Sequence, residues 1–87
     1  MEIDINIFAL GDSNKESELR SRIREVMKDK EGDWTIAVIG GQSRIWELRV
    51  EGPKGKSWLK KLDGPGLHST ENILEEIRSA VDSWEIA

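Results

Sequence analysis

Apolar and polar residues alternate at the start of the chain, over residues 2–10. The apolar positions of this alternation are Ile3, Ile5 and Ile7. A period of two is typical of a strand that has one face in the core and the other in water. The sequence therefore predicts a half-buried strand, and Gly11 begins the break that ends it.

Helical spacing replaces the alternation in the next segment. The apolar residues that recur at this spacing are Leu19, Ile23, Val26 and Met27. Ser13 is followed three residues later by Glu16, which is the spacing of a capping box, so we predict that a helix begins at Ser13. Gly32 predicts its end, because glycine is common just after the last helical residue.

Three further apolar sets with a period of two predict a three-stranded meander. The sets are Trp34, Ile36 and Val38, then Trp46, Leu48 and Val50, then Trp58 and Leu62. For all three to face one side of a sheet, each hairpin loop must hold an odd number of residues, because a slip of one residue turns every side chain to the other face. Loops of three residues, 41–43 and 53–55, place Val38 opposite Trp46 and Val50 opposite Trp58.

The second of these loops also has recognisable turn chemistry. Pro53 begins it and Gly55 stands at the position that needs a left-handed backbone, as expected of a type I turn followed by a bulge. We therefore predict a positive φ for Gly55.

A second helix follows the break at residues 63–66. Ser69 or Thr70 is the predicted cap, and the apolar stripe of the helix is Ile73, Ile77, Ala80, Val81 and Trp84. Both predicted helices have a single apolar side, so both should lie on one face of the sheet. Residues 1–87 thus predict one α+β domain of order β-α-β-β-β-α, with a small, mainly antiparallel sheet and two helices packed on one face.

The sheet edges raise the question of self-association. The strand predicted at 33–39 has no charge after Asp33, so it would be a flat apolar edge if nothing covered it. We expect either residues 2–10 or the same strand of a second chain to pair with it. The strand at 56–62 carries Lys56, Lys60 and Lys61, and lysine is a residue that natural sheet edges use to resist pairing.

Composition indicates the compartment. The chain has no cysteine, whereas small secreted domains usually depend on disulfides. Its first residues lack the basic and apolar regions of a signal peptide, and no apolar run approaches the length of a membrane span. The sequence therefore predicts a cytoplasmic protein that does not contact a membrane.

Charge is unevenly distributed along the chain. Residues 1–14 carry −3, residues 15–33 balance, residues 34–63 carry +3 and residues 64–87 carry −4, within a net charge of −4. The basic residues of the meander are Arg44, Arg49, Lys54, Lys56, Lys60 and Lys61. A solvated sheet face with edge lysines that discourage aggregation explains them without a ligand, and contact with the phosphates of a nucleic acid is the main alternative.

No catalytic constellation is visible. Residues 52–57 resemble the end of a phosphate-binding loop, but Val50 stands where the first glycine belongs and the segment joins two strands. His68 is the single histidine, and we expect it to be an exposed residue at the entry to the second helix. We predict that the chain is not an enzyme and holds no cofactor or metal.

Without the first strand, the element order α-β-β-β-α resembles that of double-stranded RNA-binding domains. Those domains carry a stretch rich in Gly and Lys before a second helix whose N-terminus contacts phosphates, whereas residues 63–69 contain no Lys. The sequence thus predicts a small protein-interaction or regulatory module that binds a protein partner or a second copy. Nucleic-acid binding through the basic meander is the alternative.

Overall fold

The computed structural model describes the backbone of residues 2–41 and 44–86, and the side chains of residues 3–41 and 44–83. Its elements are β1 (Glu2–Phe8), α1 (Ser13–Met27), β2 (Asp33–Ile39), β3 (Ile45–Glu51), β4 (Ser57–Asp63) and α2 (Thr70–Ile86), with short 3-10 turns at Pro53–Gly55 and Pro65–Leu67. The strands form one sheet in the order β1-β2-β3-β4. β1 runs parallel to β2, and the other two pairs are antiparallel. The predicted α+β class and element order are confirmed.

The core lies on one face of this sheet, which we call the inner face. Both helices pack there, and α1 buries Leu19, Ile23 and Met27. The buried residues contributed by the strands are Ile5, Ile7, Trp34, Ile36, Val38, Trp46, Leu48, Val50 and Leu62. The stripe predicted for α2 is buried at Ile73, Ile77, Ala80 and Val81, while the side chain of Trp84 lies outside the described residues.

The first residues of the helices differ in how well the sequence predicted them. α1 begins at Ser13, as predicted, but its N-cap is Asp12, whose carboxylate accepts hydrogen bonds from the backbone of Asn14 and Lys15, so the capping role expected of Ser13 is wrong. Aspartate accepts these bonds at least as well as serine. In α2 the hydroxyl of Ser69 accepts from the backbone of Asn72, as predicted.

The β3–β4 hairpin has the predicted register, with Val50 opposite Trp58. Gly55 has a φ of 77°, which confirms its left-handed backbone. However, Lys54 also has a positive φ, of 63°. Two successive positive values are the signature of a type I′ turn, so the predicted type I turn is wrong while the loop length is right.

The β2–β3 hairpin is displaced by two residues from the predicted register. Val38 lies opposite Leu48 instead of Trp46. A displacement of two keeps every side chain on its predicted face, so the apolar pattern cannot detect it. The connection runs over residues 40–44, of which 42 and 43 lie outside the described residues.

The apolar strand β2 is covered on both sides. β1 pairs with it along its whole length, from Glu2 opposite Asp33 to Phe8 opposite Ile39. Residues 2–10 therefore fill the place that a second chain could have taken, and the edges of the sheet are β1 and β4.

Candidate interaction surfaces

The face of the sheet opposite the helices, which we call the outer face, is covered by no element among the described residues. Phe8, Ile45 and Leu59 are 54%, 43% and 48% exposed there. Phe8 lies beside Ile39 across the β1–β2 pair, and Ile45 lies diagonally from Ile39, because Ile39 is paired with Glu47. Phe8, Ile39 and Ile45 form what we call the outer patch. The period-two pattern missed Phe8 as a surface residue, although its even position on β1 places it on the polar side.

One edge of the sheet, that of β1, is closed at its centre by a side chain. The backbone N–H of Gly40, just after β2, donates to the carbonyl of Phe8 at 2.8 Å, so that carbonyl points toward β2. Backbone groups alternate sides along a strand, so the carbonyl of Ile5 points to the free edge. The Arg20 guanidinium of α1 donates to it at 2.7 Å. No feature of the sequence pattern predicted this contact.

The other edge, that of β4, is open. The N–H of Gly52 donates to the carbonyl of Lys56 at 2.8 Å, and the N–H of Gly64 donates to the carbonyl of Arg44 at 2.9 Å. Both bonds connect the β3 side to even-numbered residues on the β4 side, one just before β4 and one just after it. By alternation, the backbone groups of the odd-numbered residues point to the free edge. Those residues are Ser57, Leu59, Lys61 and Asp63.

A shallow groove lies beside this open edge. It has a volume of about 380 Å³ and is lined by Arg49, Glu51, Ser57, Trp58 and Leu59. Leu59 and the partly buried Trp58 give it apolar surface, while Arg49 and Glu51 add one charge of each sign. It therefore offers room for one side chain of an extended partner.

The six basic residues predicted as a nucleic-acid surface do not converge. Arg49 and Lys61 lie on the outer face and Lys60 on the inner face. Arg44 precedes β3 at one end of the sheet, whereas Lys54 and Lys56 belong to the turn at the opposite end.

Carboxylates accompany Arg44, Arg49 and Lys60. The ion pairs are Arg44–Asp63 at 2.8 Å, Arg49–Glu47 at 2.9 Å and Lys60–Glu76 at 2.6 Å. Such pairs lower the net positive potential that a phosphate backbone would meet. The arrangement is mixed in sign, not a continuous basic stripe.

His68 is buried instead of exposed, which corrects the expectation from sequence. Only 9% of it is accessible, and its ring stacks on Trp46 with centroids 3.9 Å apart and planes 8° apart. Its Nε2 lies 2.9 Å from the carbonyl of Leu62, which can only accept, so Nε2 carries the proton. Lys15 of α1 completes the cluster, since its ammonium donates to the backbone carbonyl of His68 at 2.8 Å.

This cluster joins elements and shows no catalytic geometry. The partners of the His68 ring are a backbone carbonyl and an indole, and a general base needs an orienting group and a nucleophile within hydrogen-bond reach. Within the described residues there is no group of three or more His, Asp or Glu side chains that could hold a metal ion. Nor is any helix in that part of the chain both long and apolar enough to span a bilayer.

Comparison with protein families, with curated proteins and with solved structures found no match.

Proposed function

We propose that this chain is a small cytoplasmic protein-interaction module, and that its outer face binds a second copy of the chain. One observation carries the proposal: a four-stranded sheet keeps both helices on one side and leaves exposed apolar side chains on the other. Exposed apolar surface on a small protein commonly marks an interaction site. The absence of cysteine fits a reducing compartment.

The outer face carries charges of both signs, so a second copy can meet it with opposite charges. Its cations, Arg49 and Lys61, lie on β3 and β4 among the carboxylates Glu47, Glu51 and Asp63. A two-fold axis parallel to the strands stacks the β1 of one copy over the β4 of the other. That arrangement repeats one patch on both copies, as symmetric dimers do.

The size of the face sets the expected strength. Four strands of seven residues give a footprint on the order of 450 Å². A standard interface buries about 800 Å² per partner. We therefore expect weak association that depends on concentration.

Sedimentation velocity over a concentration series tests the proposal. Phe8→Ser should shift the chain toward monomer, and Ile45→Ser should do the same, because both remove apolar surface from the outer patch. Leu67→Ser is the matched control, since Leu67 is also an exposed apolar residue, at 39%, but precedes α2. A wild-type chain that stays monomeric at every concentration, or equal effects of Phe8→Ser and Leu67→Ser, would count against a dimer through this face.

A further inference from the structure

We infer that the free edge of β4 is a second binding site, which takes an extended acidic segment of another protein as an added strand. Strand addition needs a sheet edge with unpaired backbone groups, and side-chain pockets beside it supply specificity. β4 offers both, and it lies on the side of the sheet away from β1. The inference goes beyond the proposed self-association and does not depend on it.

The backbone of β4 is available over its central residues. The groups of Ser57, Leu59 and Lys61 point away from β3, as the hydrogen bonds of Gly52 and Gly64 establish. The His68 ring donates to the carbonyl of Leu62 on β4. Leu62 is an even-numbered residue whose backbone groups face β3, so this contact does not occupy the free edge. An added strand would therefore find unobstructed donors and acceptors at three successive odd positions.

The charges along β4 determine the partner. Lys61 lies on the outer side of the edge, opposite Glu47 across the β3–β4 pair, and within the described part of the chain the ion-pair partner of Glu47 is Arg49. Lys54 and Lys56 stand at the turn end of the same strand. Two copies of β4 cannot pair without placing lysines close to lysines, which is unfavourable. An acidic strand gains the opposite-charge pairs instead, so an acidic segment is the occupant that this edge selects.

The groove adds an apolar requirement between the charged positions. Leu59 is exposed on the outer side, and Trp58 is partly buried on the inner side, so the two residues that face them on an added strand should be apolar. Opposite Lys61 an acidic residue fits. Lys60 is already paired with Glu76 at 2.6 Å, so the position facing it needs no charge. From the position facing Ser57 to the position facing Lys61, the expected ligand thus reads acidic, apolar, apolar, polar, acidic. Its first acidic residue lies at the turn end of β4, where Lys54 and Lys56 stand.

Two capped synthetic peptides test the inference. Glu-Val-Ile-Thr-Glu-Thr matches β4 in the parallel sense, and the reversed sequence Thr-Glu-Thr-Ile-Val-Glu matches it in the antiparallel sense. Titration followed by NMR should shift the amide signals of Leu59 and Lys61 and slow the hydrogen exchange of their N–H groups. The same peptides with lysine in place of glutamate should produce neither effect.

Charge reversal on the protein locates the contact. Lys61→Glu should weaken the binding of the peptide by about tenfold, because it replaces an attraction with a repulsion. Arg24→Glu makes the same change of charge on the exposed side of α1 and should leave affinity within about twofold. Phe8→Ser should bind the peptide like wild type, so the peptide experiment can be interpreted whether or not the chain forms a dimer.

Several outcomes would overturn the inference. They are binding of the lysine peptides, an equal loss with Arg24→Glu, and shifts confined to β1. Shifts of β4 that appear without peptide as concentration rises would identify a second copy as the occupant. Shifts of Leu59 and Lys61 caused by an RNA duplex, with none caused by either acidic peptide, would assign the lysines to nucleic acid.

Discussion

The two edges of the sheet resist unwanted pairing in different ways. On β1 a guanidinium from α1 occupies the central outward carbonyl, that of Ile5. On β4 the outward backbone groups stay open and the lysines of the strand supply the protection. A side chain bonded to the central carbonyl of an edge hinders pairing with a strand of any charge, whereas an edge guarded by charge hinders only strands of the same sign. The difference makes β4 a selective edge and β1 a closed one.

The inner side of β4 is held by the same cluster that buries His68. His68 stacks on Trp46 of β3 and donates to the carbonyl of Leu62 of β4. One ring therefore holds the end of β4 from the inner face of the sheet. The outer side of the strand has no such support and faces water. β4 is thus anchored on its inner side while its backbone edge stays available.

The largest expected effect comes from breaking that anchor. Trp46→Ala should cost about 3–5 kcal/mol of the free energy of unfolding, enough to unfold most of a domain of this size. It removes the stacking partner of His68 together with core volume, since Trp46 is only 8% exposed. Thermal and chemical denaturation measure the loss.

Trp58→Ala is the matched control for this experiment. Trp58 lies on β4 itself but is only partly buried, so its removal should cost clearly less. Equal losses for the two variants would show that Trp46 and His68 do not anchor the strand.

The two hairpins show which features of the sheet could be predicted from the sequence and which could not. Period-two patterning assigned the strand residues to the correct face, yet it left the β2–β3 register free to move in steps of two. In β3–β4 the register was found because Pro53 and Gly55 limit the loop to one length. The flanking glycines of the first loop impose no comparable limit. Faces follow from patterning, whereas register needs turn chemistry.

The candidate surfaces were less predictable than the fold. The six basic residues were found by counting, but their separation onto two faces and two ends depends on the strand pairing. Asp12 as the cap of α1, His68 in the core and Arg20 on β1 depend on contacts between segments far apart in sequence. Such contacts leave no local periodic signal, because each involves a single side chain.

The second largest effect is expected from removing the Arg20 side chain from the β1 edge. Arg20→Ala should cost about 1.5–3 kcal/mol, the range for a hydrogen bond to a charged group. It should also speed hydrogen exchange in β1, because the edge carbonyl of Ile5 returns to water. Arg22→Ala is the control on the same helix, since Arg22 is exposed and forms long ion pairs with Glu18 at 3.9 Å and with Glu71 of α2 at 3.7 Å. Denaturation and exchange measured on both variants distinguish them, and similar behaviour of the two would show that Arg20 does not close β1.

The smallest expected effect separates the two neighbouring lysines of β4. Lys60 lies on the inner side and pairs with Glu76 of α2 at 2.6 Å, with side-chain exposures of 45% and 23%. A half-exposed pair gains little, because water screens the attraction and two long side chains lose freedom. A double-mutant cycle with Lys60→Met and Glu76→Gln should therefore give a coupling of about 0.2–1 kcal/mol that falls as salt is added. A coupling above about 2 kcal/mol, insensitive to salt, would instead indicate a desolvated pair. Lys60 would then be part of the core, and Lys61 with the turn lysines Lys54 and Lys56 would remain to give the β4 edge its charge selectivity.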